Sequence, residues 1–259
     1  MRWVIKIGTS SVCDIDARLS QEKIDRFVSQ LRILVSREHE ILVVTSGAVG
    51  AGVGAVGKTP QDVTDKQALA AIGQARLMEA YQRALHPIIV GQVLLTRQDL
   101  EDQDRRQASR STLERVLSWG AIPVINENDT VTDAEIRIGD NDTLAARVAV
   151  LMEAHRLVIL SDIDGLYTEN PKKNPGAHRI EAVPWVTADD MQRFSSEERG
   201  GLGTGGMATK LEAARIAQEA GIGMVLAASQ EPDVLDKIEG IKSWQGGTRF
   251  LAKRGMIRA

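Results

Sequence analysis

The sequence predicts an α/β protein built on a mostly parallel sheet, and three observations carry that expectation. Strand-like and helix-like segments alternate along the whole chain. The strand at residues 3–7, a helical stretch and the strand at residues 41–45 form a βαβ unit. The second of these strands, Ile41-Leu-Val-Val-Thr45, is almost wholly apolar, as a strand covered on both faces is.

Trp3 to Ile7 is a β-rich run that ends in the turn Gly8-Thr-Ser-Ser11. Lys6 puts a charge inside it, either as an edge-strand lysine facing solvent or as a cation aimed past the strand end at an anion. Ser20 can cap a helix to about Arg37, with Ile24, Phe27, Val28, Leu31 and Leu34 on one face. Ligands of parallel sheets bind beyond the carboxyl ends of the strands, so Ser10 and Ser46-Gly47 share one rim.

Gly52-Val-Gly-Ala-Val-Gly57-Lys58-Thr59 matches the phosphate-loop pattern letter for letter. Its context is poor. Residues 46–51 separate it from its strand, and the polar run after Pro60 has no apolar stripe. Residues 47–60 therefore read as a mobile glycine-rich segment. A helix follows from near Asp65 to about Leu85, then a strand over Ile88 to Leu95. Residues 99–115 carry both charge signs and read as a helix with a solvated face, ended at Trp119-Gly120. Ala121 to Ile125 is a further strand. Seven Asn and Asp residues (Asn126, Asn128, Asp129, Asp133, Asp140, Asn141 and Asp142) then stand before a helix at 144–152. That exceeds what turn geometry uses, and it suits a small ligand carrying an amine or hydroxyls.

Arg156 to Leu160 is a strand ending in Ser161-Asp162, and residues 170–176 form an exposed loop. Thr187 caps a helix with Asp190 at its N3 position. Gly201-Leu-Gly-Thr-Gly-Gly-Met-Ala-Thr-Lys210 follows, with four glycines in six residues, and opens a helix to Ala220. Glycines let backbone approach a ligand and a helix N-terminus presents unpaired N–H groups, which together hold a polyphosphate. A plain surface loop is the alternative. Met224 to Ala228 and Thr248 to Leu251 are the last strands.

The 259 residues give ample core for one large domain or two lobes, at an ordinary 43% hydrophobic content. A net charge of −3 argues against a general nucleic-acid binder. Cys13 is the one cysteine, so no internal disulfide forms, which fits a reducing cytosol. No apolar run reaches membrane-spanning length. Met1-Arg2 leads directly into a strand with no signal peptide ahead, and a cytoplasmic protein is expected. The four histidines lack metal-ligand spacing.

Several stretches together resemble the amino acid kinase family. They are Val4-Ile-Lys-Ile-Gly-Thr-Ser10, Val44-Thr-Ser-Gly-Ala48, Gln92-Val-Leu-Leu-Thr-Arg97, Pro123-Val-Ile-Asn-Glu-Asn-Asp129, Gly139-Asp-Asn-Asp142, Ser161-Asp162 with Gly165-Leu-Tyr167, and residues 201–210. They run in family order over nearly the whole chain. The I-N-E-N-D and G-D-N-D stretches resemble its glutamate-kinase branch. The resemblance implies an αβα sandwich around a mostly parallel sheet, with residues 1–155 as amino-acid lobe and 156–259 as nucleotide lobe. The C-terminal PUA domain of many relatives is not expected here. Ser161 stands where many relatives have Thr, which preserves the hydroxyl.

The implied reaction takes ATP and L-glutamate to L-glutamyl 5-phosphate and ADP, the first step of proline biosynthesis. Lys6 and Lys210 would neutralise the transferred group from opposite sides, and Asp142 would hold both lysines. Ser46 and Gly47 would position the reacting carboxylate, and Asn126, Asp129 and Asn141 the α-amino and α-carboxyl groups. Ser161 and Asp162 would line the ATP site, with Lys6 among its contacts. The backbone of Thr204, Gly205, Gly206, Met207, Ala208 and Thr209, together with Lys210, would cradle the phosphates. Mg2+ would be held mainly by phosphates and water, with no protein metal ligand assigned. A homodimer or homotetramer and feedback by L-proline are further expectations. The rival readings are an acetylglutamate kinase-like enzyme, a phosphate-loop NTPase using Lys58 and Thr59, and a non-catalytic ligand sensor.

Overall fold

The computed structural model describes residues 1–16, 18–131, 141–171, 174–197, 206–240 and 244–252, with side chains described to residue 194 in the fourth segment. Eight strands form one sheet in the order β3-β4-β2-β1-β5-β7-β8-β6. They are β1 (Arg2–Ile7), β2 (Glu40–Thr45), β3 (Val90–Leu95), β4 (Ile122–Glu127), β5 (Arg156–Ser161), β6 (Ala182–Val183), β7 (Gly223–Ala228) and β8 (Thr248–Phe250). Every pairing is parallel except β7 with β8. Chain order reverses at β1, which pairs with β2 on one side and β5 on the other. A crevice outside the carboxyl ends of the strands at such a reversal is where open α/β sheets bind ligands.

Strand period places alternate β1 residues on opposite faces. Trp3, Ile5 and Ile7 pack with helices α1 (Gln21–Ser36) and α3 (Val63–Leu85) and with α9 (Val234–Glu239). Val4 packs with α6 (Asn141–Leu151) and α8 (Met207–Glu219) on the other face, with Leu113 of α5 (Gln103–Ser118) in the same cluster. The sheet is thus covered on both sides. Lys6 has the parity of Val4, so it points toward α6 and α8. β1 is central, which removes the edge-strand reading of Lys6.

The structure corrects residues 47–60. Most of them form α2 (Ala48–Val56), opened by Gly47 at φ 106° and closed by Gly57 at φ 71°. The glycines read as flexibility serve close packing. A Cβ on Gly52 would lie 2.0 Å from the Leu69 carbonyl oxygen, and one on Gly73 would lie 1.8 Å from that of Ala48. α2 and α3 therefore meet backbone to backbone, which only glycine permits. α3 begins at Val63, with the Asp62 side chain capping the Asp65 N–H.

Smaller differences have local causes. The expected helix at 99–115 divides into α4 (Arg97–Glu101), opened by a Thr96–Asp99 capping box, and α5, whose N-cap is Asp102. Leu113 is its one buried residue, as a solvated helix requires. β3 starts at Val90 rather than Ile88. α6 starts at Asn141 rather than 144, so the last Asn and Asp of the polar run are helical. α7 (Ala188–Glu197) carries the expected Thr187–Asp190 reciprocal cap. Among the described residues no helix is long and apolar enough to cross a membrane.

Candidate active site

Three charged side chains from distant parts of the chain meet beneath the carboxyl end of β1. Lys6 Nζ lies 2.6 Å from Asp142 Oδ1, and Lys210 Nζ lies 3.1 Å from Asp142 Oδ2. Asp142 is fully buried, and Lys6 and Lys210 are 5% and 3% exposed. Each comes from a forced position: Lys6 from the inward parity of β1, Asp142 from the first turn of α6, and Lys210 from the first turn of α8. A carboxylate is favoured at a helix N-terminus. Burial pushes the Asp142 carboxyl up, but the charges and hydrogen bonds of Lys6 and Lys210 outweigh it and hold it below its ordinary value. The trio itself carries one more positive charge than negative.

α8 opens at Gly206, whose carbonyl accepts from Thr209 Oγ1 at 2.8 Å, while the same hydroxyl lies 3.2 Å from Asp142 Oδ2. Met207, Ala208, Thr209 and Lys210 form the first turn of α8. Thr204 and Gly205, with the rest of residues 201–205, lie outside the described residues.

On the β2–β4 side the polar groups form a chain of amides. Asn141 Nδ2, with two hydrogens to donate, lies 2.8 Å from the Thr45 carbonyl oxygen and 2.9 Å from both Ser46 Oγ and Asn126 Oδ1. Asn126 Oδ1 also accepts from the Glu127 N–H, and Asn126 Nδ2 donates to Gln74 Oε1 at 2.9 Å. Thr45 Oγ1 is 2.9 Å from the Tyr81 hydroxyl. Burial pushes the Tyr81 phenol well up, which keeps it a neutral hydrogen-bonding group. Gly47 next to Ser46 has a positive φ, and a Cβ there would meet Val12 Cγ2 at 2.7 Å, so the turn excludes any side chain.

The structure thus brings Ser46, Gly47, Asn126 and Asn141 to one rim with the charged trio. Asp129 lies in the turn beyond β4, half-buried. Asp133 and Asp140 fall outside the described residues. Gln74 and Tyr81 of α3 were not among the sequence candidates. The available signal was a glutamine in a stripe otherwise made of Leu69, Ala70, Gly73, Leu77, Ala80 and Tyr81.

On the β5–β7 side a cavity of about 440 Å3 opens, with Ile163, Tyr167, Pro171, Phe194 and Met207 among its walls and Asp162 at its edge. Ser161, at the end of β5, donates to Asp162 Oδ1 at 3.0 Å. Tyr167 OH donates to Asp164, which also accepts from Arg179 Nη1 at 2.9 Å. Apolar walls with a polar edge suit a heteroaromatic ring. Met207 lines this cavity from the same helical turn that carries Lys210, so the cavity and the lysine pair adjoin through α8.

The phosphate-loop candidate has the wrong architecture. Gly52 is buried within α2, while Lys58 and Thr59 are exposed beyond its C-terminal cap. A helix C-terminus carries partial negative charge and repels phosphate.

The family model described as "Amino acid kinase family" matches residues 1–228. A protein named glutamate 5-kinase from Symbiobacterium thermophilum is 50% identical over 242 residues, covering 92% of this chain and 91% of that protein. Another of that name, from Photorhabdus laumondii, is 45% identical and covers 95% of this chain and 67% of its own. Among solved structures, isopentenyl phosphate kinase of T. acidophilum superposes with a TM-score of 0.66 at 18% identity, covering 96% of this chain and all of that one. Carbamate kinase from Giardia lamblia bound to AMP-PNP does so with 0.66 at 14%, covering 97% and 98%. At that identity these two speak to the fold, an αβα sandwich. The family model spans both the Lys6 strand and the Lys210 helix, and the chain belongs to the amino acid kinase family.

Proposed function

We propose that this protein transfers the γ-phosphoryl group of ATP to the side-chain carboxylate of L-glutamate, giving L-glutamyl 5-phosphate and ADP, the first step of proline biosynthesis. The observation that carries the proposal is the buried Lys6–Asp142–Lys210 cluster between an amide-lined rim and an apolar cavity. The named relatives at 41–50% identity support glutamate as the acceptor.

The acceptor carboxylate has a reference pKa of about 4.3 and is ionised at neutral pH, so no general base is required. The barrier is the approach of an anion to a polyphosphate, and catalysis is positioning with charge neutralisation. A carboxylate oxygen attacks the γ-phosphorus, the bond to the β–γ bridging oxygen breaks, and ADP carries that electron pair away. Lys6 and Lys210 stabilise charge on the transferred group from two sides. Asp142, held ionised by both, fixes their ammonium groups and takes no proton. Ser46 and Gly47 position the reacting carboxylate, and Asn126, Asn141 and Asp129 hold the α-amino and α-carboxyl groups. The N–H groups of Thr204 to Thr209 cradle the phosphates, and the base enters the cavity beside Asp162 and Tyr167.

Magnesium accompanies the nucleotide. Among the described residues no three His, Cys, Asp or Glu side chains converge as a metal cage, and Asp142 is engaged by two cations. That donor set fits an ion held by phosphate oxygens and water, which would supply charge neutralisation.

Residues 1–155 serve as the amino-acid lobe and 156–259 as the nucleotide lobe. Association into a homodimer or homotetramer, response to L-proline and a cytoplasmic location complete the proposal. Incubation with ATP, magnesium and glutamate, followed by trapping with hydroxylamine, is the direct test. Hydroxamate forms with glutamate and not with N-acetylglutamate. A preference for N-acetylglutamate points to the acetylglutamate kinase-like reading, and no hydroxamate with either acceptor points to the sensor.

A further inference from the structure

Gln74 is a polar side chain in the wrong chemical company. It sits in the apolar stripe of α3, 7% exposed, and its Nε2 is buried with no hydrogen-bond partner. Methionine or leucine would fill the position without orphaning a donor, so stability alone does not favour an amide there. Its other end is engaged: Gln74 Oε1 accepts from Asn126 Nδ2 at 2.9 Å.

The amides beyond it have only one workable orientation. The Thr45 carbonyl accepts only, so the amide side it faces on Asn141 must be Nδ2. Asn126 then turns Oδ1 to that Nδ2 and to the Glu127 N–H, both donors. Its own Nδ2 is left facing Gln74, where a flipped glutamine would set donor against donor.

We propose that Gln74 is a positioning residue for the amino-acid acceptor, fixing the amide orientations of Asn126 and, through it, Asn141. This rests on the reading that Asn126 and Asn141 hold the acceptor. The relay explains why a buried glutamine with an idle donor stands at that point of α3: its carbonyl oxygen is what the site uses.

The test is a double-mutant cycle on steady-state kinetics with glutamate and ATP varied separately, run on wild type, Gln74→Met, Asn126→Ala and the double variant. Gln74→Met raises the glutamate KM by about tenfold, the worth of one neutral hydrogen bond, and leaves the ATP KM unchanged. Adding it to Asn126→Ala raises the glutamate KM no further. An unchanged glutamate KM in Gln74→Met, an equal rise in both KM values, or effects that multiply in the double variant would overturn the relay. Gln74→Leu repeats the cycle if the methionine variant melts below assay temperature. If wild type phosphorylates a different acceptor, the glutamate reading falls, and the same cycle on that acceptor still tests Gln74.

Discussion

Lys6 and Lys210 take opposite oxygens of one buried carboxylate, at 2.6 and 3.1 Å. Two cations that would repel each other across a dry site are thereby held on either side of Asp142. Lys6→Ala and Lys210→Ala should each lower kcat by about 10²–10³-fold, the usual cost of one electrostatic donor in a transition state. Lys58→Ala, exposed beyond the C-terminal cap of α2, should leave ATP affinity and kcat near wild type. Glutamate-dependent ADP release at matched thermal stability checks all three. The reverse pattern would restore the phosphate-loop reading.

The same carboxylate sets a pH dependence. Asp142 is held below its ordinary 3.8 in the folded state. A group lowered on folding contributes stability in full above its unfolded pKa, and that contribution is lost as pH falls through the folded value. Asp142→Asn removes it and leaves two buried ammonium groups without their shared anion. The Tm gap between wild type and Asp142→Asn should be widest near neutrality and shrink below about pH 4. Melts from neutral to acidic pH measure this, and a gap constant with pH would contradict the assignment.

Asp129 is proposed to pair with the substrate ammonium, from its half-buried place in the turn after β4. Asp129→Asn should raise the glutamate KM with little change in kcat or in the ATP KM. If only the ATP KM moves, Asp129 belongs to the other pocket.

Gly73 admits no side chain. A methyl group there would sit 1.8 Å from the Ala48 carbonyl oxygen, so α2 and α3 must part to accept it. Gly73→Ala should destabilise by about 1–3 kcal/mol or more, as overpacking does. Because α2 starts at Gly47, the glutamate KM should rise as well. Denaturant melts and kinetics on the same sample test both effects, and a Tm equal to wild type would mean that the two helices do not touch as described.

Much of this was legible in the sequence. The β1 and β2 strands showed as apolar runs, Lys6 showed as a charge inside one of them, and Lys210 showed as a lysine in the first turn of a helix that follows a glycine run. What escaped was set by contact between distant segments. Gly52 and Gly73 lie in separate helices, and only their crossing explains why either is glycine. Local composition favoured a loop, and tertiary packing won. Gln74 was invisible for a related reason: a lone glutamine in a helix reads as surface until the helix's inward face is known. The separation of α4 from α5 turned on capping chemistry at Thr96 and Asp102, which a charge-dense stretch conceals.

Lys6 leaves the ribosome early, Asp142 in mid-synthesis and Lys210 late. A chain that has emerged only through α6 carries the residues of the amide rim and the Lys6–Asp142 pair, yet it lacks the helix that supplies the second ammonium group. The buried trio is therefore complete only when α8 lies against α6.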